Sequence, residues 1–279
     1  MGMIFWNEFR KMWGKLRSWI PFIAVGVVVP LVLAGAKAGS AGLLRVAGRA
    51  LPGEFPGSAD NLVNGYFVTV LIMNGLWIHI PFLLTLVAGD QLAGEGAAGT
   101  FRLLLTRPAS RSRILFAKYA STLIYTIGLV GFLVGLSVFL GVLFFGTGPL
   151  LNPAKPLALI PESEVLLRLL LSFGLAVLGM WSVASLSFLL SSLVNNSLGP
   201  IVATIAVLII FYVITNVPLE LFVNLRPYLF TTYLPLWQKA IEPAIPWKEI
   251  GSSAAILCGF NVGFYSVTWY IFGRKDILT

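Results

Sequence analysis

Six stretches of this chain, residues 19–36, 62–88, 114–145, 165–193, 198–217 and 250–272, are nearly continuous in apolar side chains and nearly free of charge. A helix needs about 20 such residues to cross the hydrocarbon core, and only a helix or a closed barrel satisfies every backbone polar group away from water. Runs of this length without period-2 alternation are helical, so the sequence predicts an all-α polytopic membrane protein with six spans. The whole of 1–279 then forms one transmembrane domain, with both termini on one side. At 1.5 Å per residue the second, third and fourth runs reach roughly 40 Å or more, so they must tilt, kink or project into water. Pro81 predicts a kink in the second run.

Composition narrows the chemistry. Only 11% of residues are charged, against roughly a quarter in soluble domains. Cys258 is the single cysteine and His79 the single histidine, so neither a disulfide framework nor a cysteine and histidine metal site can be assembled within one chain. The net charge of +8 sits beside the apolar runs, where anionic lipid headgroups and orientation rules explain it before nucleic acid does. One side collects Arg10, Lys11, Lys15, Arg17, Arg102, Arg107, Arg111, Arg113, Lys118, Arg274 and Lys275, eleven of nineteen basic residues. That bias predicts both termini on the cytoplasmic side of the membrane.

Residues 1–18 place Phe5, Phe9, Met12, Trp13 and Leu16 at helical spacing with Asn7, Glu8, Arg10, Lys11, Lys15 and Arg17 on other faces. The pattern reads as an amphipathic helix lying in the membrane interface, and its basic region is too long and too aromatic for a cleaved signal peptide. The loops at 38–59 and 146–164 read as ordinary connections on the far side. Residues 218–249 alternate Tyr228, Tyr233, Trp237 and Trp247 with Pro227, Pro235, Pro243 and Pro246. Too broken to span, this stretch is expected at the outer interface or dipping into the membrane from it.

Between the second and third runs lies GDQLAGEGAAGTFRLLLTRPASRSRILFAKY, residues 89–119. Glu95 precedes a glycine and alanine turn, Gly99 and Thr100 can open a short helix, Phe101 to Leu105 give it an apolar face, and Pro108 ends it. Such a helix on basic flanks is shaped either to dock into a groove on a soluble partner or to lie on lipid.

The series Glu95, Gly99, Thr100, Phe101, Arg102, Leu103, Leu104, Pro108, Arg111 and Lys118 resembles the signature of ATP-binding-cassette type 2 exporter permeases, the bacitracin and sodium export permeases included. The N-terminal helix, the six spans and the broken segment before the last span extend the resemblance over most of the chain. It implies two paired membrane subunits, identical or different, each touching a cytosolic ATPase through residues 95–108. Glu95, Gly99, Thr100, Phe101, Arg102, Leu103, Leu104, Leu105, Pro108 and Arg111 would form that contact, with Phe101 and Leu104 as anchors and Glu95 as a charged hinge. The glycines on either side of Glu95, Gly94 and Gly96, depart from the pattern. ATP and magnesium would belong to the partner, because no Gly-x-x-x-x-Gly-Lys followed by Ser or Thr occurs in this chain. The chain is thus expected to bind no cofactor and no metal and to be no enzyme itself.

Polar groups inside the spans are functional by default. Asn74, His79, Ser182, Ser185 and Asn261 are candidates for a substrate path. The competing reading is a neutral hydrogen-bonded histidine, with the serines allowing helices to pack closely. Two other classes use His79: a proton-coupled carrier pairing it with Asp90, and an intramembrane enzyme pairing it with a serine.

Overall fold

The computed structural model describes residues 2–39, 63–99, 110–151 and 159–274. Its helices are α1 (Gly2–Trp13), α2 (Leu16–Ala38), α3 (Gly65–Leu76), α4 (His79–Ala88), α5 (Asp90–Ala97), α6 (Arg111–Phe145), α7 (Glu162–Leu193), α8 (Leu198–Asn216), α9 (Glu220–Val223) and α10 (Trp247–Arg274). Two 3₁₀ segments, Arg226–Tyr228 and Phe230–Ile241, lie between α9 and α10. A two-residue antiparallel ladder pairs β1 (Leu150–Leu151) with β2 (Leu159–Ile160) in the loop before α7. Among the described residues, α2, α6, α7, α8 and α10 are long and apolar enough to cross a membrane, and α3 with α4–α5 supplies a sixth if that bent pair is one span. The molecule is an integral membrane protein built of helices.

Helix α1 ends earlier than residue 18, the boundary expected for the N-terminal amphipathic helix. It breaks at Gly14, and Lys15 is extended (φ −90°, ψ 134°), so Leu16 to Ile20 belong to the spanning helix α2. The break is held by side chains from α2 that satisfy the last carbonyls of α1: Ser18 Oγ donates to Met12 O at 2.5 Å and Trp19 Nε1 to Trp13 O at 3.0 Å. Tyr125 on α6 donates to Ser18 O at 2.8 Å and ties the corner to the bundle.

The second run bends by 61° at Trp77 and Ile78, just ahead of Pro81 rather than at it. Proline has no N–H and its ring collides with the carbonyl four residues earlier, here that of Trp77, so the helix restarts with Pro81 in its first turn. Beyond Ala88 the helix continues through Gly89 into α5 and stops at Gly99, whose φ of +63° is left-handed. Gly99 therefore ends this helix, and the short helix expected from Thr100 onward lies outside the described residues.

Helix α7 is the centre of the bundle: 61% of its apolar window is buried, against 22–33% for the other long spans. Its neighbours approach closely where its side chains are small. The second 3₁₀ segment crosses at Gly179, where a Cβ would lie 3.3 Å from Leu234 O. Ser172 Oγ donates to Trp237 O at 2.6 Å, and Phe230, Leu234 and Trp237 are fully buried. The broken stretch thus enters the bundle to the middle of α7. Arg168 anchors its exit with bonds to Glu242 O and Pro243 O at 2.5 and 3.2 Å.

The tightest backbone crossing joins α3 to the end of α6. A Cβ on Gly65 would sit 2.4 Å from Gly141 C, and Gly65 N donates to Gly146 O at 2.9 Å. Gly65→Ala must push these backbones apart, which should lower stability in detergent by about 1–3 kcal/mol. Gly75→Ala, with nothing within 4 Å, should leave the unfolding midpoint unchanged or slightly higher.

Candidate functional site

The charged residues that flank the spans converge on the face of the bundle that carries the start of α1 and the end of α10. Lys118 in α6 is only 2% exposed, and its Nζ donates to Glu8 Oε2 of α1 at 2.6 Å and to Glu95 Oε1 of α5 at 3.0 Å. Lys11 on α1 donates to the same Glu95 oxygen at 2.5 Å. Beside this group, Asp90 at the start of α5 accepts from Lys15 at 2.6 Å and from Arg17 at 3.0 Å. Glu8, Asp90 and Glu95 are all buried. A carboxylate or ammonium in such surroundings is tolerated only when paired and hydrogen-bonded, and two acids against two bases neutralise the inner group. The network joins α1, α2, α5 and α6.

Two glycines, Gly94 and Gly96, lie where a side chain would meet close neighbours. A Cβ on Gly94 would lie 2.6 Å from Asp90 Oδ1, and one on Gly96 would lie 3.0 Å from Asn195 Cα in the turn between α7 and α8. Ser191 of α7 locks the α4–α5 joint from the other side. Its Oγ donates to Gly89 O at 2.6 Å and accepts from Leu92 N at 3.1 Å and Ala93 N at 2.9 Å. Of the expected contact residues, Glu95, Gly99 and Arg111 fall on this face, whereas Thr100, Phe101, Arg102, Leu103, Leu104, Leu105 and Pro108 lie outside the described residues.

The five path candidates separate into two places. Ser185, Asn261 and Tyr119 form a buried polar knot between α7, α10 and α6, with Ser185 Oγ 2.8 Å from Asn261 Oδ1 and 2.7 Å from Tyr119 OH. Ser182 is buried and bonds its own helix at Leu178 O. These side chains join helices. Asn74 and His79, in contrast, are exposed at the bend of the second run. Asn74 Oδ1 accepts from Gln238 of the 3₁₀ segment at 2.7 Å, and His79 Nδ1 meets Gly75 O at 3.2 Å. A carbonyl only accepts, so Nδ1 carries a proton in this contact. His79 also borders a groove of about 420 Å³ between α2 and α4, lined by Ala24, Val28, Ile80 and Leu83. Asp90 pairs with Lys15 and Arg17 instead of His79, so the histidine and aspartate relay is not assembled. Among the described residues, no cluster of three or more His, Cys, Asp or Glu could hold a metal ion.

A family model described as "Protein of unknown function (DUF2705)" matches residues 50–278. The chain belongs to that family. The matched region of this DUF2705 chain includes Asp90, Glu95 and Lys118, the three members of the network contributed by α5 and α6. It is also similar to the Probable ABC transporter permease protein NosY of Stutzerimonas stutzeri, 26% identical over 192 residues, 67% of this chain and 64% of that protein. A second relative, Uncharacterized protein YhcI of Bacillus subtilis (strain 168), is 32% identical over 132 residues, 45% of this chain and 40% of that protein. The aligned parts therefore span less than two thirds of either relative. The likeness to NosY is distant, and together with the membrane helices it fits a transport permease.

Glu8 and Gln238 were not legible as site residues: the first reads as a solvated charge on an amphipathic helix, the second as one polar residue in a broken loop. Lys118→Met should leave Glu8 and Glu95 buried without their shared cation and cost about 3–5 kcal/mol. Lys239→Met, which removes the exposed pair with Glu249, should cost less than about 1 kcal/mol. Denaturant unfolding in micelles distinguishes the two.

Proposed function

We propose that this chain is the membrane-spanning permease subunit of an ATP-binding-cassette type 2 exporter, with both termini in the cytoplasm and a separate ATPase bound at residues 95–108. The observation that carries the reading is the buried network of Glu8, Lys118, Glu95 and Lys11. It fixes both anchor points of the docking segment to the N-terminal helix, so force applied there reaches the bent second span and α6 as one body. The resemblance of the 95–118 series and the distant likeness to a probable ABC transporter permease support the same reading. The excess of Lys and Arg on this face supports its cytoplasmic placement. ATP and magnesium reside on the partner in this account, and the chain itself is not the catalyst.

The substrate path runs past Asn74, His79 and Gln238. Exposed amide and imidazole groups near mid-span are expensive against hydrocarbon, so this face meets water, substrate or a second permease subunit. Amide and imidazole groups among apolar side chains suit an amphiphile with polar groups of its own.

Two measurements test the reading. Phe101→Asp with Leu104→Asp should abolish co-purification of a cytosolic ATPase while membrane insertion is unchanged, and retained association contradicts it. In a Cys258→Ser background, Asn74→Cys in the assembled complex should react with a water-soluble maleimide, whereas Ile127→Cys, exposed on α6, should stay protected. Equal protection of both removes the proposed path.

A further inference from the structure

The start of α6 and the end of α10 enclose a cavity of about 340 Å³ on the face that bears the termini. Its rim carries two guanidinium groups, Arg111 and Arg274. Arg111 donates to Gly273 O at 3.3 Å, which holds it across the gap, and Trp269 Nε1 donates to Ser112 Oγ at 3.0 Å, which closes the wall. Arg274 lies over the Tyr270 ring, 4.4 Å from its centroid, and makes no ion pair among the described residues. The floor is Leu115, fully buried in α6.

We propose that this cavity binds the phosphate of an acidic phospholipid headgroup. Arginine presents a planar fork of donors that matches phosphate oxygens, and stacking over the Tyr270 ring leaves the edge of the Arg274 fork to meet them. Basic pockets between spans at a membrane surface recognise anionic headgroups in this way. A lipid rather than free phosphate is the occupant because the site is amphiphilic. Trp269 and Tyr270 are each 52% exposed and of the type that sits at headgroup depth, and Phe116, 51% exposed one turn further in on α6, offers an apolar surface to acyl chains. The inference does not rest on the exporter reading, because it concerns a lipid bound at the protein's rim whatever the protein transports.

The test uses the full chain in micelles supplemented with phosphatidylglycerol and phosphatidylcholine of identical acyl chains, with retained lipid counted by native mass spectrometry. The wild type should hold phosphatidylglycerol in preference to phosphatidylcholine. Arg111→Gln with Arg274→Gln should weaken that retention roughly tenfold or more. Arg274→Gln alone, at an exposed helix end, should give part of the loss, and Arg274→Lys should restore some of it. Arg10→Gln with Arg113→Gln removes the same charge from the same face outside the cavity and should keep the lipid. Equal retention of the two lipids by the wild type overturns the proposal. So does unchanged retention in both the single and double cavity variants, an equal loss in the control pair, or displacement by millimolar inorganic phosphate, which would make this a site for the free anion.

Discussion

A lysine that is 2% exposed, held between carboxylates from two other helices, is the constraint on which the terminal face depends. Hydrocarbon gives helices no hydrophobic reason to prefer one another, so the position of α1 cannot be set by apolar burial alone. Lys118 supplies a direction. It sits where α1 and α5 must both come to satisfy it, and Lys11 then balances the second carboxylate. Removing Lys118 leaves the buried Glu8 without its counterpart and Glu95 with one cation fewer, so Lys118 is the member on which the joint turns. Asp90 with Lys15 and Arg17 repeats the device one turn away and fixes the start of α2.

The rest of the bundle is organised by close approach. Helix α7 presents Gly179 and a series of buried serines, and around them pack α10, the α4–α5 joint and the 3₁₀ segment. Ser191 exchanges three hydrogen bonds with the backbone at the α4–α5 joint. A side chain inserted in a helical ladder is one of the few ways to hold a defined bend. The proline-induced break at Trp77, the serine clamp at Gly89 and the ion network at Glu95 therefore lie in series along the bent second run, each connected to a different neighbour.

The spans were legible because length and continuous apolarity leave no other fold in a bilayer, and the bend was legible to within a few residues because Pro81 forbids the carbonyl of Trp77 its place. The boundary at Gly14 was not, since one glycine interrupts a pattern that otherwise reads through to residue 20. Glu8 was hidden for a deeper reason: helical periodicity assigns a charge to the outer face, and only the arrival of Lys118 from a hundred residues away makes the inner face habitable. The path candidates could be named by type but not sorted. Asn74 and Ser185 look alike in sequence, and which one faces inward depends on the rotation of its helix against neighbours. Gln238 lies in a stretch whose 3₁₀ path into the bundle is set by Gly179 and Ser172 on another element.

The most direct test of the joint is a distance across it. Spin labels at Asn7→Cys on the exposed side of α1 and at Arg113→Cys at the start of α6, in a Cys258→Ser background, report whether the two elements move as one body. With Lys118 in place, electron–electron resonance should give a single narrow distance distribution, and Lys118→Met should broaden it while distances between α6 and α7 stay unchanged. A distribution that is already broad with Lys118, or that stays narrow without it, contradicts the claim that the buried ion network holds the N-terminal helix to α5 and α6.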